Sequence, residues 1–355
     1  MLRNSAVLNR LRGEGLGAPI TVTWEVTSRC NLNCLHCLSN SGPDAGTGGE
    51  MTLSEAKRAA EQLAGAGVFQ VHFGGGEPFL YPGFMDLLHH ARGAGLGCLC
   101  ISTNGSSLAA GRIAELEALG GVYLQISLDG STEQSCDAIR GPGAFRRACA
   151  ALRRLAGSDL VSTVNFVYTR ANAHQLAAMA ELARGFGATL RVTRLKPSGR
   201  GAASYAALRP SQPQLAALHK WLGENPDVLT GDTFFHLNPL GGKPLPGFQF
   251  CGAARLTCLI APNGDVFPCA FTQAGPLLGG NLRRTPFAEI WRESEVFNGV
   301  FRAAQPGACG SCGSYRGCGG GCPAVKESLL GRMDLPDPDC VLGQGVPSQA
   351  PLCQG

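Results

Sequence analysis

Cys30-Asn-Leu-Asn-Cys34-Leu-His-Cys37 is the stretch from which the rest of the chain is read. Three cysteines at C-x3-C-x2-C spacing follow directly on the apolar run 20–26. Thr21-Val-Thr-Trp-Glu-Val26 has the alternation and the β-branched and aromatic content of a strand. The cysteines therefore lie on the loop at its carboxyl end, the edge that carries the chemistry in parallel α/β barrels. Three thiolates can hold three corners of a four-iron cluster and leave the fourth iron open to a substrate or cofactor. The competing reading is a structural zinc site. Zinc generally takes a fourth Cys or His, and only His36 is at hand.

Outward from this loop, strand-like and helix-like segments alternate. Strands are expected at 21–27, 68–73, 98–102, 122–128, 162–168 and 189–195. Helices are expected at 52–63, 84–92, 109–119, 144–155, 175–186 and 213–222. Thr52-Leu-Ser-Glu55 fits a capping box opening the first of these. Such alternation implies a parallel sheet with right-handed crossovers. Six units fall short of a closed eight-strand barrel, so the expected fold is α/β, a partial (β/α)6 barrel of the TIM type. From about residue 235 the pattern breaks, Pro and Gly become dense, and cysteines recur. The expected division is a lead-in at 1–19, the barrel at 20–234, and a cysteine-rich domain with a C-terminal tail at 235–355. The last region has little apolar periodicity, and metal ligation would supply much of its stability.

The formal charge is only +4, which gives no footing for nucleic acid or an anionic membrane surface. No window approaches the apolar length of a membrane span. The first ten residues lack a signal-peptide core, so a cytoplasmic enzyme is expected. Sixteen cysteines in a reducing compartment point to metal ligands rather than disulfides.

Two further groups of residues carry weight. At the predicted strand ends stand Gly74-Gly75-Gly76-Glu77-Pro78, Ser102-Thr103-Asn104-Gly105 and Ser127-Leu-Asp129-Gly130. Glycines there allow backbone to approach a ligand, and Pro78 fixes the chain direction after Glu77. Alone, each is equally readable as a tight turn. In the last region, Cys309-x2-Cys312-x5-Cys318-x3-Cys322 is followed by Cys340, and Cys251 and Cys258 precede Gly264-x4-Cys269. Four thiolates suit zinc as well as iron–sulfur. Cys98, Cys100, Cys136 and Cys149 lie on predicted strands or helices and read as buried small residues. Cys353 is assigned no role. Arg191, Arg194, Lys196 and Arg200 form a basic group at the sixth strand's end. They read as a solvated face or, with Arg194 first, as a partner for a substrate carboxylate.

The cysteine loop after a first strand resembles the signature of the radical SAM enzymes. That resemblance implies a [4Fe–4S] cluster on Cys30, Cys34 and Cys37 whose open iron binds S-adenosyl-L-methionine, and cleavage of that cofactor to a deoxyadenosyl radical. His36 stands where the family usually has an aromatic residue. Gly75, Gly76, Glu77 and Pro78 match the family's GGEP motif, which borders the cofactor's amino group. Ser102, Thr103 and Asn104 match the strand end near its ribose. Ser127 and Arg140 match positions meeting ribose or carboxylate, and Leu195 matches an adenine contact. The C-terminal spacing is similar to the SPASM domain. By that similarity one auxiliary cluster takes Cys251, Cys258, Cys269 and Cys322, and the other takes Cys309, Cys312, Cys318 and Cys340, making three [4Fe–4S] clusters in all.

Within that group the chain resembles the mycofactocin radical SAM maturases over nearly its whole length. Stretches carrying this include Thr23-Trp-Glu-Val-Thr27, Asp137-Ala-Ile-Arg-Gly141, Arg194-Leu-Lys-Pro-Ser-Gly-Arg-Gly201, Gly231-Asp-Thr-Phe-Phe-His-Leu237 and Cys251-Gly-Ala-Ala-Arg255. The resemblance implies oxidative decarboxylation of a C-terminal Tyr on a precursor peptide and its crosslinking to the preceding Val. It also implies a separate small peptide-binding chaperone and a flavodoxin- or ferredoxin-type electron donor. Three rivals are a maturase of another peptide, an anaerobic sulfatase maturase, and an electron-transfer or cluster-scaffold protein. The sulfatase family carries an aspartate after the cysteine matched by Cys269, where this chain has Ala270. The scaffold reading leaves the strand-end motifs without a purpose.

Overall fold

A computed structural model describes residues 16–230, 234–241, 245, 251–273, 275–301 and 306–343. Most of the expected lead-in, the first residues of the Gly231–Leu237 stretch, and Cys353 lie outside them.

Six parallel strands, β1 (Thr21–Thr27), β2 (Gln70–Gly75), β3 (Cys98–Thr103), β4 (Val122–Ser127), β5 (Val161–Tyr168) and β6 (Thr189–Arg194), stand side by side in chain order. Helical crossovers join them: α1 (Leu53–Gly65), α2 (Phe84–Gly93), α3 (Ala110–Leu119), α4 (Glu133–Arg140), α5 (Ala144–Leu155) and α6 (Leu176–Gly185). α7 (Arg200–Leu208) and α8 (Gln212–Glu224) follow β6. This is the expected partial (β/α)6 barrel. The Thr52 capping box is present, with the Thr52 hydroxyl accepting from the Glu55 amide and the Glu55 carboxylate accepting from the Thr52 amide. Two of these barrel helices were not expected from the sequence. α4 is short and opened by a Thr132–Ser135 capping box, and α7 starts at Gly199, whose φ is +54°.

Alternate residues of each strand face opposite sides. Val22, Trp24, Val71, Phe73, Leu99, Ile101, Leu124, Ile126, Val164 and Phe166 are buried in one core with the helices. The other parity puts Glu25, His72, Ser102, Gln125, Asn165 and Arg191 on the concave side.

The C-terminal region is less separate than its composition suggests. β7 (Thr257–Ile260) pairs in parallel with β1, matching Thr21 to Thr257 and Trp24 to Ile260. β8 (Asp265–Phe267) and β9 (Gly280–Asn281) extend the sheet antiparallel. α9 (Phe287–Glu293) and α10 (Glu295–Phe301) follow. Phe287, Ile290, Trp291 and Phe297 are buried in the same core as the barrel helices. This half of the region thus has ordinary hydrophobic support, contrary to the expectation drawn from its weak periodicity. The rest, 306–343, holds only α11 (Tyr315–Cys318), α12 (Pro323–Leu330) and a 3₁₀ turn among turns. Among the described residues no helix is long and apolar enough to cross a membrane, and the described cysteines are all free of disulfides.

Candidate active site

The cysteine loop is held from several sides. The Cys30 amide donates to Gly42 O at 3.1 Å and the Leu35 amide to Ile139 O at 2.9 Å. Arg200 Nε donates to Cys34 O and its Nη2 to Ser41 O, each at 2.8 Å. The loop after β2 lies against it, with the Gly76 amide on Thr27 O at 2.7 Å and the Glu77 amide on Arg29 O at 2.8 Å. A Cβ on Gly76 would fall 1.8 Å from Arg29 O, so only glycine permits this approach.

The three thiols lie near enough to act on one another. Burial first, and then the charges of Glu77, Cys34 and Cys37, push the Cys30 thiol up to about 11, against a hydrogen bond from the Leu32 amide. Burial also raises Cys34, opposed by Arg140. Ligation would therefore release protons from Cys30 and Cys34. Polar groups already face the sulfurs: Asn104 Nδ2 is 4.0 Å from Cys30 Sγ, Arg140 Nη1 3.9 Å from Cys34 Sγ, and Ser39 Oγ 3.7 Å from Cys37 Sγ. Three converging thiols ringed by donors fit an anionic sulfur cluster.

Several residues expected to touch cofactor serve first to fix this loop. His36 Nε2 and Arg140 Nε each lie 2.6 Å from Asp129 Oδ2, and Asp129 Oδ1 accepts from the Val167 amide at 2.7 Å. Burial would raise the Asp129 carboxyl, but Arg140 and His36 hold it down at about 2. Sequence reasoning quoted Asp129 in its motif without seeing it as the anchor. Glu77 is fully buried and accepts from the Thr103 hydroxyl at 2.7 Å and the Asn104 amide at 2.9 Å, tying the β2 and β3 ends together. Burial lifts its carboxyl to about 7 despite those bonds. Pro78 begins the turn that Glu77 caps. Ser102 Oγ lies 2.6 Å from His72 Nε2 and accepts from Gln125 Nε2 at 2.7 Å. Ser127 ends β4 beside Asn165. Leu195 packs its side chain against Tyr205 and Leu208.

Both readings of Arg194 need correction. It is neither a solvated residue nor open to a substrate carboxylate, because its guanidinium is buried on Asp337 and Asp339 at 2.5–2.9 Å. Arg200 is spent on the cysteine loop, and Lys196 sits 3.9 Å over the Phe271 ring.

In the C-terminal region Cys309, Cys312, Cys318 and Cys340 line one cavity together with His236 and Asp337. Burial first, and then the charges of the neighbouring cysteines, raise the Cys309 and Cys318 thiols. Four thiols around one hollow fit a cluster held on all four corners. Cys251, Cys269 and Cys322 form a second group with Phe235 and Val325. Cys258 is set apart from them. Pairing of β7 with β1 turns its side chain, like that of Ile260, into the barrel core at 0% exposure, where burial alone raises its thiol. Alternation along β7 is the physical reason. Lys326, which the sequence reading missed, is buried between both groups and feels Cys322, Cys251 and Cys309. Of the remaining cysteines, Cys100, Cys136 and Cys149 are buried, and Cys98 is partly exposed.

Two family models match the chain: the radical SAM superfamily over residues 24–183, and the SPASM iron–sulfur cluster-binding domain over 251–314. Mycofactocin maturase MftC of Mycobacterium ulcerans is 44% identical over 340 residues, covering 95% of this chain and 91% of that protein. The chain belongs to the mycofactocin maturases. These are radical SAM peptide maturases, and membership brings S-adenosylmethionine and [4Fe–4S] clusters as cofactors. The PqqA peptide cyclase of Ruegeria pomeroyi is a more distant relative, 34% identical over 91% of this chain and 87% of that protein. Among solved structures, Streptococcus suis SuiB bound to S-adenosylmethionine superposes with a TM-score of 0.76 at 18% identity, over 94% of this chain and 80% of that one. That likeness shows that the mycofactocin maturase shares its fold with SuiB.

Proposed function

We propose that this mycofactocin maturase oxidatively decarboxylates the C-terminal Tyr of a ribosomally made precursor peptide and joins the remaining carbon to the preceding Val. The observation that carries this reading is the 44% identity across 95% of the chain, which includes both cysteine fields. A small chaperone protein presents the peptide, and a flavodoxin- or ferredoxin-type protein supplies electrons, all in the cytoplasm. The division at residue 235 then separates a radical-generating barrel from an electron-accepting domain.

Bound cofactor supplies the organic radical and the electron sink; the protein holds, orients and excludes water. Cys30, Cys34 and Cys37 would hold the cluster that binds S-adenosylmethionine. Gly75 and Gly76 would hold the cofactor's amino group with backbone, and Asn104 would hold its ribose side. Asp129 locks His36 and Arg140 against the loop, which keeps the three sulfurs in place. Glu25, lifted to about 8 by burial against a 3.0 Å hydrogen bond from Gln273, stays protonated in the barrel at neutral pH. Cys309, Cys312, Cys318 and Cys340 would hold a second cluster, and Cys251, Cys269 and Cys322 a third. About twelve irons per chain follow.

The test is anaerobic turnover with S-adenosylmethionine, a reductant, the chaperone and a peptide ending in Val-Tyr. Deoxyadenosine release is expected together with loss of carbon dioxide and two hydrogens from the peptide. Deoxyadenosine without that mass change would favour a maturase of another peptide, a reading supported by the 34% identity to a peptide cyclase.

A further inference from the structure

His236 sits in the 3₁₀ segment Phe235–Leu240, is 2% exposed, and has no hydrogen-bond partner for either ring nitrogen among the described residues. Imidazole carries at least one N–H in every tautomer and charge state, and leaving a buried donor unmet costs about 1–3 kcal/mol. The ring stacks on Phe234 with centroids 6.2 Å apart and lines the cavity shared by Cys309, Cys312, Cys318 and Cys340.

The nearby carboxylates are already occupied. Asp337 Oδ1 accepts from Arg194 Nη2 at 2.8 Å and the Asp339 amide at 2.9 Å, while Oδ2 accepts from Arg194 Nη1 at 2.9 Å and the Cys322 amide at 2.8 Å. Asp339 is paired with Arg194, Arg209 and the Tyr205 hydroxyl. The cavity that His236 lines presents the sulfurs of Cys309, Cys312, Cys318 and Cys340 as further acceptors.

We propose that His236 donates an N–H···S hydrogen bond to the iron–sulfur group held by Cys309, Cys312, Cys318 and Cys340 and so sets its reduction potential. This rests on the auxiliary-cluster reading above. Hydrogen bonds to cluster sulfurs are among the factors that tune these potentials. A donor stabilises the reduced form, which carries one more negative charge on its sulfurs, so the bond raises the potential.

The experiment is a redox titration of the auxiliary centres, followed by electron paramagnetic resonance. It uses protein carrying Cys30→Ala, Cys34→Ala and Cys37→Ala, which removes the barrel signal. His236→Phe keeps a ring beside Phe234 and deletes the N–H. Iron content should stay at the parent's level while one centre moves to lower potential. A tenfold change in its one-electron equilibrium would be about 59 mV. His236→Gln, which restores a donor, should recover part of the shift. Retained iron with an unmoved potential overturns the inference and leaves the cluster assignment standing. Absence of auxiliary iron from the parent overturns both. Should His236→Phe lose its iron, pulsed resonance on the parent with isotopically labelled histidine decides: a histidine-nitrogen coupling on a reduced auxiliary centre supports the bond, and its absence overturns it.

Discussion

The barrel loop and the C-terminal cysteine field solve one problem, gathering thiols, by opposite means. In the barrel, three cysteines lie within eight residues on one strand end, and ordinary secondary structure does the gathering. Arg200, Gly76 and the Asp129 anchor then trim the loop. In the C-terminal field the thiols of one cavity come from residues 309 to 340, amid short helices and turns, with no sheet of their own. The first arrangement can form before any cluster arrives. The second is tied together by buried ion pairs, and by the clusters themselves when present.

The largest expected effect separates the two regions outright. Replacing Cys30, Cys34 and Cys37 together with Ala should abolish deoxyadenosine release while leaving roughly two thirds of the iron, a fraction from ligand counting. Loss of all iron would show that the C-terminal field depends on the barrel cluster, and the contrast would fail.

Next comes the tie between them. Arg194→Met strands Asp337 and Asp339 without their main counter-charge inside the protein. Breaking a buried pair in this way costs about 3–5 kcal/mol. Limited proteolysis should then cut within 306–343 while the barrel stays intact; equal susceptibility of both regions would mean they unfold as one unit.

A smaller effect sharpens the barrel side. Glu25 keeps its proton to about pH 8 when folded, while an unfolded glutamate releases it near its ordinary value of 4.5. Folded protein therefore holds more protons across that window, and stability falls as pH rises through it, by up to about 1.4 kcal/mol per pH unit. Glu25→Gln removes the loss, so its unfolding temperature relative to the parent should climb between pH 5 and 8 and level off above. A constant difference would mean that Glu25 is ionised at neutral pH.

The smallest expected effect is at Cys258. Cys258→Ala should leave auxiliary iron near the parent level, whereas Cys269→Ala should lower it by one cluster's worth. Equal losses would restore Cys258 to the ligand set that family spacing suggested.

These residues also mark what could be read from the chain alone. The cysteine loop, the Thr52 cap and the close glycine at position 76 are local, and spacing exposes them. Arg194 meets Asp337 across 143 positions, and no periodicity encodes such a meeting. Cys258 looked like its neighbours because spacing records order along the chain, whereas the face of a strand is fixed by what pairs beside it. The pairing of β7 with β1 was hidden for the same reason. His236 stood in a quoted motif, but its isolation among saturated carboxylates is visible only in three dimensions.

β1 is gripped on one side by β2 and on the other by β7. The strand that launches the catalytic loop is thus also the hinge-pin on which the second cysteine field hangs. The opposite edge is held as well: Arg194, at the end of β6, pairs with Asp337 and Asp339 of that field, so the field is fastened at both ends of the parallel sheet.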